Sequence, residues 1–431
     1  MPDEHLDAAP LLALGSPAAE ITAPELADAL ETLALHMCAG SARRVLLVPP
    51  DRTRLASRAG EITTTLRRLL LGAGLTVDVM PALGTHRPMD EADCEAMFDG
   101  EIAAGDLRIH RWREDVAFVG SARTAGHELP VEVNRALIDG SYDLAIAIGQ
   151  VVPHEVAGFA GFTKMLCIGL GGAGTIGRSH LISALHGIER TMGVVDTPVR
   201  ALLDAGFDEL LEAHCPVLWL MTVVEGTPQG PVLRGLFAGE GGSTASGGRA
   251  FRAAAALSAT VNITRLTEPL SRCVVLLDEG EYRSAWLANK AIYRTRMALS
   301  AGAELFVVAP GVSRFGEDEN VDALIRRHGY LGTEATLAAM DADADLRESP
   351  GTAAHLIHGS SEGRFTITYS PGLQLTRADV ERVGFGYLAP GDAVKRFGLD
   401  DALESGPRTD RDGEPFTLIR RPGLGLWCRT S

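Results

Sequence analysis

Three short runs constrain the fold most: RRVLLV (43–48), LTVDVM (75–80) and YDLAIAIG (142–149). All three are largely apolar, and the first and third lack the polar alternation of a strand that has one wet face. Such strands are buried on both sides, which is the condition of a parallel sheet covered by helices. Segments of helical periodicity lie between them: APELADALETLALHM before the first, ITTTLRRLLLGAG after it, and MDEADCEAMFDG behind an Asp cap after the second. The pattern starts again with RCVVLLDEG and GAELFVVAPG, separated by RSAWLANKAIYRTRMALSA, which reads as one helix. FTITYSPGL reads as a later strand.

A chain of 431 residues is too long for one ordinary core. The expectation is an α/β protein of two α/β domains with mainly parallel sheets and an active-site cleft between them. Residues 1–20 read as a loose leader, 21–268 as the N-terminal domain and 269–431 as the C-terminal domain. The glycine-dense stretch from 230 reads as a loop leading into an Ala-rich helix, and the tail from 406 has no clear assignment.

The formal charge of −16 speaks against a nucleic-acid partner, because a phosphate footprint needs clustered cations. No apolar run reaches membrane-spanning length, and the acidic start MPDEHLDAAP lacks the basic residues of a secretory signal. Six scattered cysteines form neither a CxxC pair nor a disulfide framework. A cytoplasmic location follows as the expectation.

In open α/β sheets ligands sit beyond the C-terminal ends of the strands. Three loops qualify. PPDRTR supplies Asp51, Thr53 and Arg54, and LGTHRPMD supplies His86 and Arg87. The third, VVPHEVAGFAGFTKMLCIGLGGAGTIGRSH, supplies His154, Lys164 and His180. Each has a plainer reading as well. Asp51 suits a helix cap, His86 a turn satisfied by backbone, Lys164 the surface and His180 the face of the helix that follows. GLGGAGTIG has the look of a phosphate cradle but lacks the Lys-Ser pair of a P-loop.

Taken together, PDRTR, GTHRP and HEVAGFAGFTK with the later His180 resemble the nickel-pincer lactate racemase family, which racemises or epimerises 2-hydroxy acids. Lys164 lies 164 − 154 = 10 positions after His154, and His180 lies 180 − 164 = 16 after Lys164, the spacing of the family. The resemblance is specific over about residues 40–190 and looser to about 390. It implies a nickel-pincer nucleotide, a pyridinium mononucleotide holding nickel through two sulfurs and a ring carbon. Lys164 would tether it as a thioamide and His180 would be the fourth ligand of a square-planar metal. His86 and His154 would exchange the hydroxyl proton while the C2 hydrogen moves as hydride through a 2-keto acid. Arg54 would fork onto the substrate carboxylate, with Asp51 and Thr53 beside it. The N–H groups of Gly171 and Gly172 are the expected donors to the cofactor phosphate.

Two departures stand out. Phe162 replaces a glycine of the family pattern, and in the second domain YRTRM replaces a Tyr-Gln-x-x-Lys stretch, so that Tyr293 matches while Arg294 and Met297 stand for the glutamine and lysine. Tyr293 and Arg294 remain the substrate-binding candidates there, with Arg296, Glu317 and Asp318 as further polar groups. Losing the lysine favours a larger, polyhydroxylated acid such as an aldonate over lactate. The expected partners are this small acid and the enzymes that build the cofactor, and a homo-oligomer is compatible with the reading. The alternatives are a non-catalytic small-acid-binding protein of the same fold and a conventional metal or nicotinamide enzyme.

Overall fold

In the computed structural model the three apolar runs lie side by side in one sheet. Residues 9–124, 126–399 and 404–430 are described. The chain divides into two units, Met1–Ile182 with Thr191–Asn262, and Ser183–Arg190 with Ile263–Ser431. The short segment 183–190 thus belongs with the second unit, whereas sequence alone leaves it in the first.

The strands of the first unit are β1 (Leu12–Gly15), β2 (Arg44–Val48), β3 (Thr76–Val79), β4 (Val116–Thr124), β5 (His127–Asn134), β6 (Leu144–Gln150), β7 (Pro153–His154), β8 (Gly158–Phe159), β9 (Val217–Thr227) and β10 (Gly230–Glu240). Six of them form a sheet in the order β1-β10-β9-β6-β2-β3. Strands β3, β2, β6 and β9 run parallel, and β10 and β1 close one edge antiparallel. Every residue of β6 is buried, as an apolar run without alternation requires.

Helices α1 (Ala23–Ala39), α2 (Ala59–Gly72) and α3 (Glu91–Phe98) share a core with Val45, Leu47, Ile146 and Ile148. Helix α1 starts where Thr22 and Glu25 form a reciprocal capping box, and it buries Leu26, Leu30, Leu33 and Met37 at helical spacing. Asp90 caps α3 in the same way. Four further helices follow the loops of interest: α4 (Lys164–Cys167), α5 (Ala173–His186), α6 (Ile188–Thr191) and α7 (Pro198–Leu210), and α8 (Ser246–Val261) ends the unit.

The second unit holds β11 (Ile263–Leu266), β12 (Leu270–Leu276), β13 (Leu299–Ala309), β14 (Thr366–Pro371), β15 (Gly386–Tyr387), β16 (Gly406–Thr409), β17 (Pro415–Arg420) and β18 (Leu426–Arg429). Its six-stranded sheet has the order β15-β14-β13-β12-β17-β16 and is parallel except at β16. The mainly parallel α/β architecture expected from the apolar runs is therefore present in both units.

Four local expectations need correction. Within the leader, Leu12–Gly15 pair with Gly235–Ala238 as an edge strand, while residues 1–8 lie outside the described residues. Residues 230–240 form strand β10 rather than a loop; at Gly235 an added Cβ would meet the Leu257 and Phe237 side chains at 2.6 Å, so the glycine there reflects crowding and not a turn. The helix read across 283–301 is two short pieces, α9 (Ala285–Ala288) and α10 (Lys290–Thr295), and β13 has begun by Leu299. The tail supplies β16, β17 and β18.

Candidate active site

Because β3, β2 and β6 are parallel neighbours, the loops that leave their C-terminal ends emerge on one edge of the sheet. Backbone bonds knit these loops together: Ala82 N–H donates to Pro49 O at 2.8 Å, and Gly84 N–H to Gly169 O at 2.8 Å. The site is thus a consequence of strand order, and three sequence-distant motifs meet there.

Asp51 caps the 3-10 turn Arg52–Ser57. One carboxylate oxygen accepts from the backbone N–H and hydroxyl of Thr53 at 3.1 and 2.6 Å, and the other meets His86 Nδ1 at 2.6 Å. Burial works to raise the Asp51 carboxyl, but the His86 imidazole and the Thr53 donors outweigh it and hold the group well below the usual carboxylate range. An ionised Asp51 accepts from the Nδ1–H of His86 and so fixes the ring by that edge. The cap reading of Asp51 holds, and the same carboxylate also holds His86. Arg54 interrupts the turn with non-helical backbone (φ −121°, ψ 31°). Its guanidinium makes no hydrogen bond or ion pair with any described residue, although its charge reaches Lys164.

Past β6 the chain folds into the small hairpin β7–β8, and His154 sits buried in β7. Its Nδ1 accepts from Val156 N–H at 3.1 Å, which assigns the proton of the neutral ring to Nε2. The Glu155 carboxylate lies 3.9 Å from the same Nδ1. Lys164 opens α4, partly buried, and burial together with the Arg54 guanidinium pulls its ammonium down to about 8, against the opposing pull of Glu155. No side-chain hydrogen bond holds Lys164 among the described residues. His180 lies on α5, where its Nδ1–H donates to Ile176 O at 2.6 Å. Burial lowers His180 to about 4, with the Lys164 charge acting in the same direction. It is therefore a neutral imidazole with its lone pair on Nε2, the form in which histidine binds metal.

Lys164 thus feels Arg54, Glu155 and Asp51, and His180 feels Lys164 and Glu155. Through Asp51 and Glu155 this group extends to His86 and His154. All of the first-unit candidates except the two glycines fall in one neighbourhood.

Gly171 and Gly172 do not offer the expected cradle. Their N–H groups already donate to Ile168 O and Glu132 O, at 3.2 and 3.0 Å, and Gly174 N–H donates to the Glu132 carboxylate at 2.7 Å. A Cβ on Gly172 would stand 2.7 Å from Glu132 Cβ, so glycine is needed there to let β5 approach. His110, bridging Asn134 and Gly171 O, braces the same run.

Tyr293 and Arg294 belong to the second unit and are buried there. The Tyr293 hydroxyl is bonded to His355 Nδ1 at 2.9 Å, and Arg294 donates to Gly425 O at 3.3 Å. Arg296 is tied to Glu189, His358 O and Ser360 O. Asp318 caps α11 (Glu319–His328), and Glu317 accepts from Ser284. The helix-cap reading of GEDEN is the one that holds.

Phe162, the departure from the family glycine, keeps the left-handed backbone a glycine would adopt (φ +56°). Such a conformation costs a bulky residue on the order of 1–3 kcal/mol. Its ring stacks on Phe251 at 5.2 Å and leans on Trp219 at 4.7 Å. Two aromatic pairs at about 0.5–1.5 kcal/mol each offset that strain.

Residues 12–193 match the family profile described as the lactate racemase N-terminal domain. That stretch, under half of the chain, is similar to the N-terminal domain of lactate racemases. Two solved structures share the fold over nearly the whole chain. A protein from Thermotoga maritima is 24% identical, with a TM-score of 0.80 over 97% of this chain and 100% of that one. The lactate racemase apoprotein from Thermoanaerobacterium thermosaccharolyticum is 14% identical, with a TM-score of 0.66 over 100% and 96%. No curated protein matches. No helix among the described residues is long and apolar enough to cross a membrane.

Sequence reasoning missed Glu155, Glu132 and Arg200. The last had a signal: TPVRALLDAGF places one arginine inside an otherwise apolar helical stripe, where Val199, Leu202, Leu203 and Phe207 are also buried.

Proposed function

We propose that this chain, whose residues 12–193 resemble a lactate racemase N-terminal domain, is a nickel-pincer nucleotide-dependent racemase or C2-epimerase of a 2-hydroxy acid. The observation that carries the reading is the joint placement of Lys164 and His180: an amine with a lowered pKa and no hydrogen-bond partner among the described residues, beside a neutral imidazole whose Nε2 is left for a metal. Among the described residues no three His, Cys, Asp or Glu side chains gather into a metal site, so a metal at His180 needs donors from a bound group. Lys164 would tether a nickel-pincer nucleotide, and His180 would supply the protein's ligand to its metal. When bound, the cofactor supplies a reversible acceptor for the C2 hydrogen as hydride.

The chain's own residues then have separable roles. Arg54, free of ion pairs with the described residues, forks onto the substrate carboxylate. His86 takes the hydroxyl proton at Nε2, and Asp51 stabilises the imidazolium that results while fixing the ring. His154 offers its Nε2 edge for the matching transfer in the other sense. The phosphate donors lie elsewhere than Gly171 and Gly172. Met297 brings no ammonium where the family has lysine, which supports a polyhydroxylated acid such as an aldonate over lactate. Maturation requires the enzymes that make the cofactor, and a cytoplasmic setting suits such a partnership.

A panel of 2-hydroxy acids deuterated at C2 tests this on protein co-produced with those enzymes. Epimerised product should retain the label at C2. Wash-out of the label into solvent would point to direct proton abstraction and refute the hydride reading.

A further inference from the structure

Arg200 is buried on α7. Its guanidinium gathers the loop that leads into Lys164. Nη1 donates to Thr163 Oγ1 at 2.8 Å, and Nη2 donates to Phe159 O at 2.7 Å and Gly161 O at 3.4 Å. Thr163 passes its own hydroxyl proton to Asp204 Oδ1 at 2.6 Å, and Asp204 lies 3.7 Å from Arg200. The guanidinium also stands 4.4 Å over the Phe251 ring, the ring on which Phe162 stacks. A buried arginine held only by a nearby carboxylate would be a poor bargain in desolvation. Here the donors are spent on carbonyls and a hydroxyl of a five-residue bend that includes Phe162, a non-glycine with left-handed backbone two residues before the lysine.

We propose that Arg200 is the positioning residue for Lys164: it locks residues 159–163 into the bend that sets where the Lys164 amine stands, and Thr163 relays that grip to Asp204. Planar geometry matters here because three acceptors in different directions need a fork, which an ammonium on a flexible stem does not provide. The cation does a second thing. It lies close enough to disfavour the protonated lysine, alongside burial and Arg54. The inference deepens the reading of Lys164 as a tether, yet its first readout needs no cofactor.

The sequence has three lysines, Lys164, Lys290 and Lys395, and Lys395 is exposed, so acylation can be followed peptide by peptide with an internal reference. The cofactor-free protein is treated with N-hydroxysuccinimidyl acetate across pH, and the same variants are co-produced with the cofactor-making enzymes for intact mass. In the wild type, Lys164 should label with a midpoint near 8. In Arg200→Gln the midpoint should rise by about one unit, which at pH 8 slows labelling about fivefold relative to Lys395, and the mass adduct should fall by a similar factor. Arg200→Lys should keep the midpoint and still lose adduct. Thr163→Val, which keeps the shape, should lose adduct, and Thr163→Ser should restore it to within about twofold.

A purely structural role would lower melting temperature and leave the labelling profile and the adduct per folded molecule unchanged; that result overturns the proposal. If Arg200→Gln does not fold, the Val and Ser variants at Thr163 decide alone, and equal adduct in both sinks it. Absence of adduct in the wild type would instead sink the tether reading, while the labelling comparison still judges Arg200.

Discussion

The strand-end loops of the first unit and the polar interior of the second use the same residue types in opposite ways. In the first, Arg54 has no ion pair and Lys164 no hydrogen bond among the described residues. In the second, Arg296 is tied to a carboxylate and two carbonyls, and Asp318 caps a helix. Tyr293 and Tyr330 both meet His355, at 2.9 Å each, while Tyr369 donates to Asn289 at 2.5 Å. A charge whose needs are met inside the fold stabilises the fold. A cation left unmet at the edge of a parallel sheet is available to a ligand, the role that the proposed function gives Arg54 and Lys164.

The comparison breaks most sharply at His86 and Asp51. His86→Gln should cost about 10²–10⁴-fold in turnover, the usual weight of one acid–base group. Asp51→Asn should cost about 10²-fold or more, because the ring loses the carboxylate that fixes its tautomer. Steady-state rates on the best substrate check both, and a tenfold or smaller loss for either would remove it from the proton path.

Stability should respond in the other unit. Arg296→Gln leaves the exposed Glu189 to Arg364 and strands two buried carbonyls, so a loss of about 1–3 kcal/mol in denaturant unfolding is expected. Arg54→Lys should leave unfolding within about 0.5 kcal/mol, as for a side chain with no partner to lose, and reduce kcat/KM about tenfold or more through the lost fork. Equal stability costs at the two arginines would erase the distinction drawn here.

The smallest effect is in pH dependence. A lysine whose folded pKa is lowered to about 8 destabilises the fold fully below that pH. The penalty is relieved as pH rises from about 8 toward 10.5, because the unfolded chain binds the extra proton in that window. Cofactor-free Lys164→Met should therefore melt above the wild type at pH 7, and the gap should narrow by pH 10. A gap independent of pH would mean that Lys164 is not electrostatically strained.

The fold was legible because burial on both faces erases polar alternation, and β2, β6, β12 and β13 carry that mark plainly. Strand β10 was not, because crowding against β1 and α8 selects glycines that read as a turn. Within the candidate site, Asp51, His86 and Lys164 were legible as polar residues of strand-end loops, and His180 as part of the helix that follows. Gly171 and Gly172 misled, since glycine serves close backbone approach as readily as anion binding, and only the position of Glu132 separates the two. The role of Tyr293 and Arg294 depends on His355 and Gly425, which lie 62 and 131 positions away in the chain. No local pattern carries that information.

The most direct measurement is the intact mass and nickel content of the chain co-produced with cofactor-making enzymes, beside Lys164→Ala and His180→Ala. The account expects one adduct with near-stoichiometric nickel in the wild type, neither in Lys164→Ala, and adduct with depleted nickel in His180→Ala. A wild-type chain of unmodified mass that nonetheless interconverts a 2-hydroxy acid would contradict it.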